Sequence, residues 1–157
     1  MEEVDAQLSG VSTWQLFRRP WPVLLLIICV LVVVLVLSSL RLFEMDTNSM
    51  EPTIHGTGID GSSMGDLVLV SKWFNMQRIS RGDLVLVSYN WKGGRITTIR
   101  RILQVGGGTC PTNNFLIPSG FYYVSANSTN GIDSKVVGLF DESQIHGKEL
   151  RIFHVNR

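Results

Sequence analysis

The segment from Val23 to Leu37 reads VLLLIICVLVVVLVL and contains no charged or strongly polar side chain. The next three residues extend it to 18 residues before Arg41. With a rise of about 1.5 Å per residue, a helix of this length spans roughly 27 Å, close to the hydrocarbon thickness of a bilayer. The segment predicts a membrane-spanning helix over residues 21–42, between an N-terminal segment (1–20) and a single domain (43–157).

Two other interpretations of this apolar segment fit the surrounding residues less well. The buried core helix of a soluble domain rarely has a fully apolar stretch of this length. A cleaved signal peptide has a shorter apolar region followed by a small-x-small cleavage site, whereas Arg41, Leu42 and Phe43 follow here. We therefore interpret the segment as a retained anchor.

The flanking charges predict how the anchor is oriented. Arg18 and Arg19 precede it, while Arg41 on the other side is soon followed by Glu44 and Asp46. Positive charge on the N-terminal flank favours keeping that end in the cytoplasm or matrix. We expect the domain after the anchor to lie in the opposite compartment.

Charge and cysteine content exclude several classes of site. Fourteen Lys and Arg against thirteen Asp and Glu give a net charge of +1, far below the basic excess of nucleic-acid-binding proteins. Cys29 lies inside the apolar segment and Cys110 in a loop rich in glycine and proline. We therefore predict no nucleic-acid partner, disulfide framework, metal cluster or cofactor.

The residues after the anchor have a β pattern. Two similar apolar runs, 67–73 and 84–89, each follow a Gly-Asp pair, and further strands are predicted over 95–105, 121–125 and 149–155. Glycine and proline punctuate the segments between them, and no convincing amphipathic helix is present. The predicted fold class is mainly β, with one N-terminal transmembrane helix followed by an antiparallel sheet or open barrel.

Four short segments carry a family resemblance. The run TNSMEPT at 47–53 has a serine followed by methionine, with proline three positions after the serine, and it resembles the nucleophile box of the type I signal peptidases, serine peptidase family S26. The family's later boxes follow in order: RGDLV at 81–85, RRIL at 100–103, and SAN with GIDSK at 125–127 and 131–135. Each match is weak alone, but the ordered set behind an anchor is specific, and it implies a signal-peptidase-like β domain.

Within this family the chain resembles the mitochondrial inner membrane peptidases, which have one anchor and a compact catalytic domain. The resemblance implies a single-pass protein of the mitochondrial inner membrane, with its C-terminal domain in the intermembrane space. The triplet Asn127-Ser128-Thr129 is a glycosylation sequon and leaves the secretory pathway as an alternative.

The resemblance also implies roles for individual residues. Ser49 corresponds to the nucleophile, and its backbone N–H with the Thr47 hydroxyl would stabilise the oxyanion. Met50 and Pro52 would border an apolar groove in which an extended substrate pairs as an added strand. Asp133 and Ser134 would support the active site.

The general base departs from the family pattern. Aligning Arg101 with the family's arginine puts Arg100 where the family has its catalytic lysine. A guanidinium group does not lose its proton in proteins, so Arg100 cannot activate Ser49 as a neutral lysine would. The serine that orients the family's lysine falls on Gly131, and Ser125-Ala126 replaces a Gly-Asp pair. We expect Arg100 instead to form an ion pair with Asp133 that joins two strands.

Other candidate bases are less suitable. Lys92 is the nearest upstream lysine, but it precedes Gly93-Gly94 and is expected in a turn. His55 lies beyond Pro52, among glycines, and we interpret it, like His146 and His154, as a solvated residue.

Three function classes remain open from the sequence. The first is an inactive peptidase homologue that serves as a structural subunit of a mitochondrial inner-membrane complex. The second is an active processing peptidase that cleaves presequence peptides, with an unusual base or as half of a heterodimer. The third is a membrane protein of another compartment that shares only the fold. The expected partners are the membrane and other inner-membrane subunits.

Overall fold

A computed structural model describes residues 20–57, 64–129 and 131–155. The predicted N-terminal segment, including Arg18 and Arg19, lies outside these residues except for Pro20. The chain divides into two units, Met1–Ser38 and Ser39–Arg157.

The first described element is an apolar helix, α1 (Pro20–Ser39), whose side chains are almost all exposed. Its residues Trp21–Ser39 are long and apolar enough to cross a membrane. The predicted apolar helix is therefore confirmed, but it ends three residues before the predicted end at 42. Residues 40–42 instead begin a strand, because they pair with a second strand through backbone hydrogen bonds that residues in a helix cannot make.

The second unit is built on one antiparallel sheet, which confirms the predicted fold class. In the described part of the chain the sheet has seven strands: β1 (Leu40–Glu44), β2 (Leu67–Ser71), β3 (Leu84–Trp91), β4 (Gly94–Val105), β5 (Phe121–Ser125), β6 (Phe140–Asp141) and β7 (Ile145–Phe153). Their order in the sheet is β1-β2-β7-β3-β4-β5-β6. A short helix, α2 (Ser134–Val137), lies between β5 and β6 in the chain.

Most predicted strands are found with small changes at their ends. The runs 67–73, 84–89 and 95–105 shift by at most two residues, and 121–125 is unchanged. The last strand starts four residues before the predicted 149, because β7 pairs with both β2 and β3 and is longer than its alternating pattern. Strands β1 and β6 were not predicted, since each has only a few residues and no clear alternation.

Strand β3 separates two hydrophobic clusters and is buried over most of its length. Val85, Val87 and Tyr89 belong to one cluster, whereas Leu84 and Leu86 belong to the other. Successive side chains of a strand point to opposite faces, so a strand covered on both faces has a continuous apolar sequence. This explains why LVLVSY lacks the alternation of a half-exposed strand.

Candidate active site

Ser49 lies in a single 3-10 turn (Asn48–Met50) shortly after β1. The next residue, Met50, is fully buried in the cluster on one face of β3. The Ser49 carbonyl accepts hydrogen bonds from the backbone N–H groups of Asn127 and Ser128, at 2.9 and 3.0 Å. The turn is therefore held both by the core and by the segment after β5, and the Ser49 residue is only 8% exposed.

Arg100 lies on β4, opposite Val85 of β3, and its side chain contacts Ser49. Its Nη1 donates a hydrogen bond to Ser49 Oγ over 2.8 Å. The residue is only 3% exposed, so this contact is shielded from water. The guanidinium also donates from Nη1 to Thr98 Oγ1 (3.0 Å) and Ile99 O (2.8 Å), and from Nε to Ile132 O (2.8 Å). The Tyr89 hydroxyl lies next to it.

The protonation state of Arg100 decides the chemistry of this pair. Burial lowers the pKa of its guanidinium, while the neighbouring Tyr89 hydroxyl and the Asp133 carboxylate raise it. An arginine side chain nevertheless remains protonated in proteins and has only donor groups. Ser49 Oγ therefore accepts from Arg100, and the remaining partner of the serine hydroxyl is Thr47 Oγ1 at 2.9 Å.

A cavity of about 190 Å³ lies beside the two side chains. It is bordered by Thr47, Ser49, Tyr89, Thr98 and Arg100, among others. The Tyr89 hydroxyl is buried beside the Arg100 guanidinium and interacts with it. The arrangement thus combines a serine hydroxyl, a fixed cation and a phenol at one small cavity.

Gly131 completes the border of the cavity next to Ser49. A Cβ atom at this position would lie 2.1 Å from the Cβ of Ala126 and 3.3 Å from that of Ser49. The first distance is far below any van der Waals contact. Position 131 therefore has no room for the serine side chain that the family pattern places there.

The sequence was also compared with models of known protein families. The sequence model described as signal peptidase, peptidase S26, matches residues 18–114, more than half of the chain. The chain belongs to this family. A search of curated proteins found no match. The matched range contains the serine box at 47–53 and the RRIL box at 100–103, and it ends before the box at 125–135.

The predicted ion pair of this S26 protein is not formed. Among the ion pairs of the described residues, none joins Arg100 to Asp133. Asp133 instead caps α2, where its Oδ1 accepts from the Lys135 backbone N–H at 2.9 Å, and its Oδ2 accepts from Ser125 Oγ at 3.2 Å. The prediction was wrong for two reasons. The Arg100 guanidinium donates hydrogen bonds to neutral oxygens, and the Asp133 carboxylate accepts the backbone N–H at the start of α2.

The neighbouring Ser134 is buried, and its Oγ accepts a hydrogen bond from the backbone N–H of Val124 at 2.8 Å. Together with Asp133 it attaches α2 to β5. These contacts hold the segment whose Ile132 carbonyl binds Arg100. Both residues support the site through the backbone rather than by touching Ser49.

The two predicted groove residues do not border the cavity. Met50 is a core residue with no exposed surface, because the 3-10 turn directs it between the strands. Pro52 is exposed on the following turn. Its predicted contact with substrate stays a prediction, whereas Met50 has no surface available for one.

The alternative bases lie elsewhere in this S26 domain. Lys92 and Gly93 form the two-residue loop between β3 and β4, and both have positive φ, at 49° and 82°. Lys92 is eight residues along the strand from Arg100, on the order of 25 Å. His146 is part of β7, and its Nε2 lies 3.3 Å from Arg95 Nη2, so it is not a loop residue.

His55 and His154 meet at the buried carboxylate of Asp66. Their side chains remain 42% and 60% exposed, so they are solvated as expected, but they are also hydrogen-bonded. Asp66 Oδ2 lies 3.2 Å from His55 Nδ1 and 2.8 Å from His154 Nδ1. The backbone N–H groups of His55 and Val155 also donate to this carboxylate. These hydrogen bonds lower the pKa of Asp66 to about 2, although burial opposes them. The three side chains are the group in the described residues that could hold a metal ion.

Sequence reasoning missed the contributions of Tyr89, Thr98 and Asn127 to the site. Asn127 Nδ2 donates to the Met50 carbonyl (3.0 Å) and to Thr53 Oγ1 (2.8 Å), so it anchors the serine turn. Its position in the SAN box was the available signal. Tyr89 and Thr98 lie in ordinary strand patterns, and no motif distinguishes them.

Proposed function

We propose that this protein is a membrane-anchored signal peptidase homologue without peptidase activity, which serves as a structural subunit of a mitochondrial inner-membrane complex. One observation carries the proposal: Ser49 Oγ accepts a hydrogen bond from Arg100. A serine hydroxyl is a poor nucleophile near neutral pH unless a base removes its proton. The group in the position of the base is a permanent donor.

The surroundings of Arg100 support this proposal. Four neutral oxygens bind its Nε and Nη1 atoms, so the guanidinium is held in place by acceptors that all require its protons. Deprotonation would remove one of these donors and would also oppose the group's intrinsic basicity. Loss of the orienting serine at Gly131 removes a second element of the family's base.

The membrane location rests on α1, and the compartment rests on the resemblance to the mitochondrial branch. Residues 21–39 have the length and composition of a membrane span. Positive charge at Arg18 and Arg19 favours an N-terminus in the matrix and the β domain in the intermembrane space. An inactive, anchored domain in that position is suited to assembly with other inner-membrane subunits.

An active processing peptidase is the second candidate. It is favoured by the retention of Ser49 with the Thr47 hydroxyl at the border of an accessible cavity. Such an enzyme would need a base from elsewhere, for example from the second chain of a heterodimer, and would cleave presequence peptides.

Turnover of a presequence peptide by the purified full chain in detergent separates the two candidates. The inactive protein hydrolyses the peptide at the rate of buffer alone, and Ser49→Ala leaves that rate unchanged. Turnover that Ser49→Ala abolishes would refute the proposal. Affinity purification from solubilised inner membrane then tests the assembly, since a large stoichiometric complex and a small peptidase heterodimer differ in size and composition.

A further inference from the structure

Asp66 is a buried carboxylate at which three segments distant in the chain meet. It lies just before β2, whereas His55 follows the serine turn and His154 comes directly after β7. The backbone N–H of Asp66 donates to the His55 carbonyl (2.9 Å), and the Asp66 carbonyl accepts from the Met45 N–H (3.0 Å). Backbone contacts therefore hold this carboxylate at a fixed place in the domain.

Both histidines direct Nδ1 at the same oxygen of the carboxylate. Asp66 Oδ2 lies 3.2 Å from His55 Nδ1 and 2.8 Å from His154 Nδ1. The other oxygen, Oδ1, accepts from the Val155 backbone N–H at 3.1 Å, which orients the group. Two imidazole nitrogens and one carboxylate oxygen thus converge, although their spacing in the sequence matches no metal-binding motif.

The separations of these atoms fit the coordination shell of a zinc ion. Zinc binds imidazole nitrogen and carboxylate oxygen at about 2.0–2.2 Å in a tetrahedral arrangement, which places neighbouring ligand atoms about 3.3 Å apart. The two distances from Asp66 Oδ2 differ from this value by at most about 0.5 Å. The three ligand atoms lie within 4.8 Å of one another, so the remaining distance needs to shorten by at most about 1.5 Å.

The two imidazole rings can adjust to an ion because they are open to solvent, whereas the carboxylate is buried. The rings are inclined by 72°, with their centroids 6.3 Å apart, so they are not stacked on each other. Rotation of an exposed ring can bring its Nδ1 to the ion. The solvent on that side can supply a water molecule as the fourth ligand.

We propose that His55, Asp66 and His154 bind a zinc ion, with water as the fourth ligand. Zn²⁺ forms coordination bonds to Nδ1 of each histidine and to Asp66 Oδ2, and it releases water from its hydration shell. An ionised carboxylate only accepts hydrogen bonds, so without zinc each Nδ1 carries the proton of its neutral ring. On binding, that proton moves through solvent to Nε2 of the same ring, and no electron is transferred.

The donor set selects the class of ion. Two imidazole nitrogens suit zinc, whereas Mg²⁺ and Ca²⁺ prefer oxygen ligands. The bound ion joins the start of β2 and the end of β7 to the segment that follows the serine turn. The inference goes beyond the proposed function and does not depend on it, because none of the three ligands takes part in the contact between Ser49 and Arg100.

Zinc binding by the full chain in detergent tests the proposal. The protein is purified through a tag without histidine and titrated with ZnCl2 near neutral pH in a calorimeter. We expect one zinc ion per chain, and a rise in Tm of at least about 5 °C at a free zinc concentration about 100 times its Kd. MgCl2 is expected to leave Tm unchanged. Absence of zinc binding, or an equal effect of MgCl2, would overturn the proposal and leave a purely hydrogen-bonded cluster.

Two histidine variants give a matched pair. His154→Gln removes an imidazole ligand but keeps a side-chain N–H that can donate to Asp66, and we expect zinc binding to weaken by about a hundredfold or more. His146→Gln is the control, since His146 is the third histidine of the chain and lies within β7, outside the cluster. Its affinity for zinc should equal that of the wild type. Equal affinities in wild type and His154→Gln, or an equal loss in both variants, contradict the assignment.

Cobalt(II) reports the ligand arrangement in the unmodified protein, so this test does not depend on the folding of a variant. Four-coordinate Co²⁺ absorbs visible light more strongly than the octahedral hydrated ion. We expect added Co²⁺ to give these stronger bands, and one equivalent of Zn²⁺ to remove them. Absorption no stronger than that of hydrated Co²⁺ would refute the four-coordinate site.

Discussion

Arg100 Nη1 donates a hydrogen bond to Ser49 Oγ over 2.8 Å, although the two residues are 51 positions apart in the chain. The direction of this bond distinguishes the site from a serine–base pair. In a serine–base pair the serine hydroxyl donates to the base, whereas here the serine oxygen accepts from a cation. The direction of the bond therefore accounts for the expected loss of catalysis.

Replacing the arginine by lysine is not expected to create a peptidase. Arg100→Lys introduces a group whose proton can be lost when the group is desolvated, but no hydroxyl at position 131 orients it. Misplacement by about 1 Å can cost on the order of a hundredfold in rate. We expect no turnover of a presequence peptide by this variant. A Ser49-dependent rate from Arg100→Lys alone would contradict the view that both the lysine and its orienting hydroxyl are needed.

The missing serine cannot be restored alone, because Ala126 occupies its space. Gly131→Ser places a Cβ 2.1 Å from the Ala126 Cβ. We therefore expect the combination Arg100→Lys, Gly131→Ser and Ala126→Gly to exceed every partial combination in presequence hydrolysis. Its Ser49→Ala derivative is the control for background cleavage. A measurable rate in the triple variant that Arg100→Lys with Ala126→Gly equals would show that position 131 has no part in orienting the lysine.

The same contact predicts a stability effect. Gly131→Ala should destabilise the domain by about 1–3 kcal/mol, the usual cost of overpacking. Gly94→Ala is a matched control, since its nearest neighbour would lie 3.8 Å away. Thermal unfolding measures both, and Ala126→Gly should recover part of the loss in the Gly131→Ala background. A Gly131→Ala variant as stable as the control would disprove the close approach.

Asp66 predicts a pH dependence of stability. Its pKa lies at about 2 in the folded protein, below the ordinary value of 3.8. A depressed pKa means that the carboxylate contributes its full stabilisation above the ordinary value and loses it as the pH falls through about 2. Asp66→Asn should lower the free energy of unfolding at neutral pH by about 1–3 kcal/mol, because one of the two accepting oxygens is replaced by an NH2 donor that faces other donors.

The same substitution should also reduce the loss of stability between pH 3.8 and about 2. Denaturant titrations at several pH values provide the test, with the exposed Asp46→Asn as control. An unchanged acid dependence in Asp66→Asn would mean that other carboxylates account for it.

The orientation of the anchor predicts a protease result. If residues 1–20 lie in the matrix, protease added to mitoplasts digests the C-terminal domain. Protection of that domain until the inner membrane is dissolved would reverse the orientation. The intact outer membrane is the control, since it should protect the domain in whole mitochondria.

The sequence alone determined the elements whose cause is local. An unbroken apolar run of this length predicts α1, because a helix of that composition satisfies its backbone internally in any apolar surrounding. The runs that became β2, β3, β4 and β5 were likewise visible, since β-branched and apolar residues between turn signals favour strands. The serine and RRIL boxes identified which two segments would meet.

Tertiary structure decided what depends on neighbours distant in the chain. Residues 40–42 lie in the sheet because they form backbone hydrogen bonds with β2. Asp133 caps α2 because its carboxylate accepts the Lys135 backbone N–H. Likewise, Gly131 has no space for a side chain only because Ala126 packs against it. Local patterns cannot encode such contacts, since a side chain's partners depend on register and packing, which exist only once the sheet has formed.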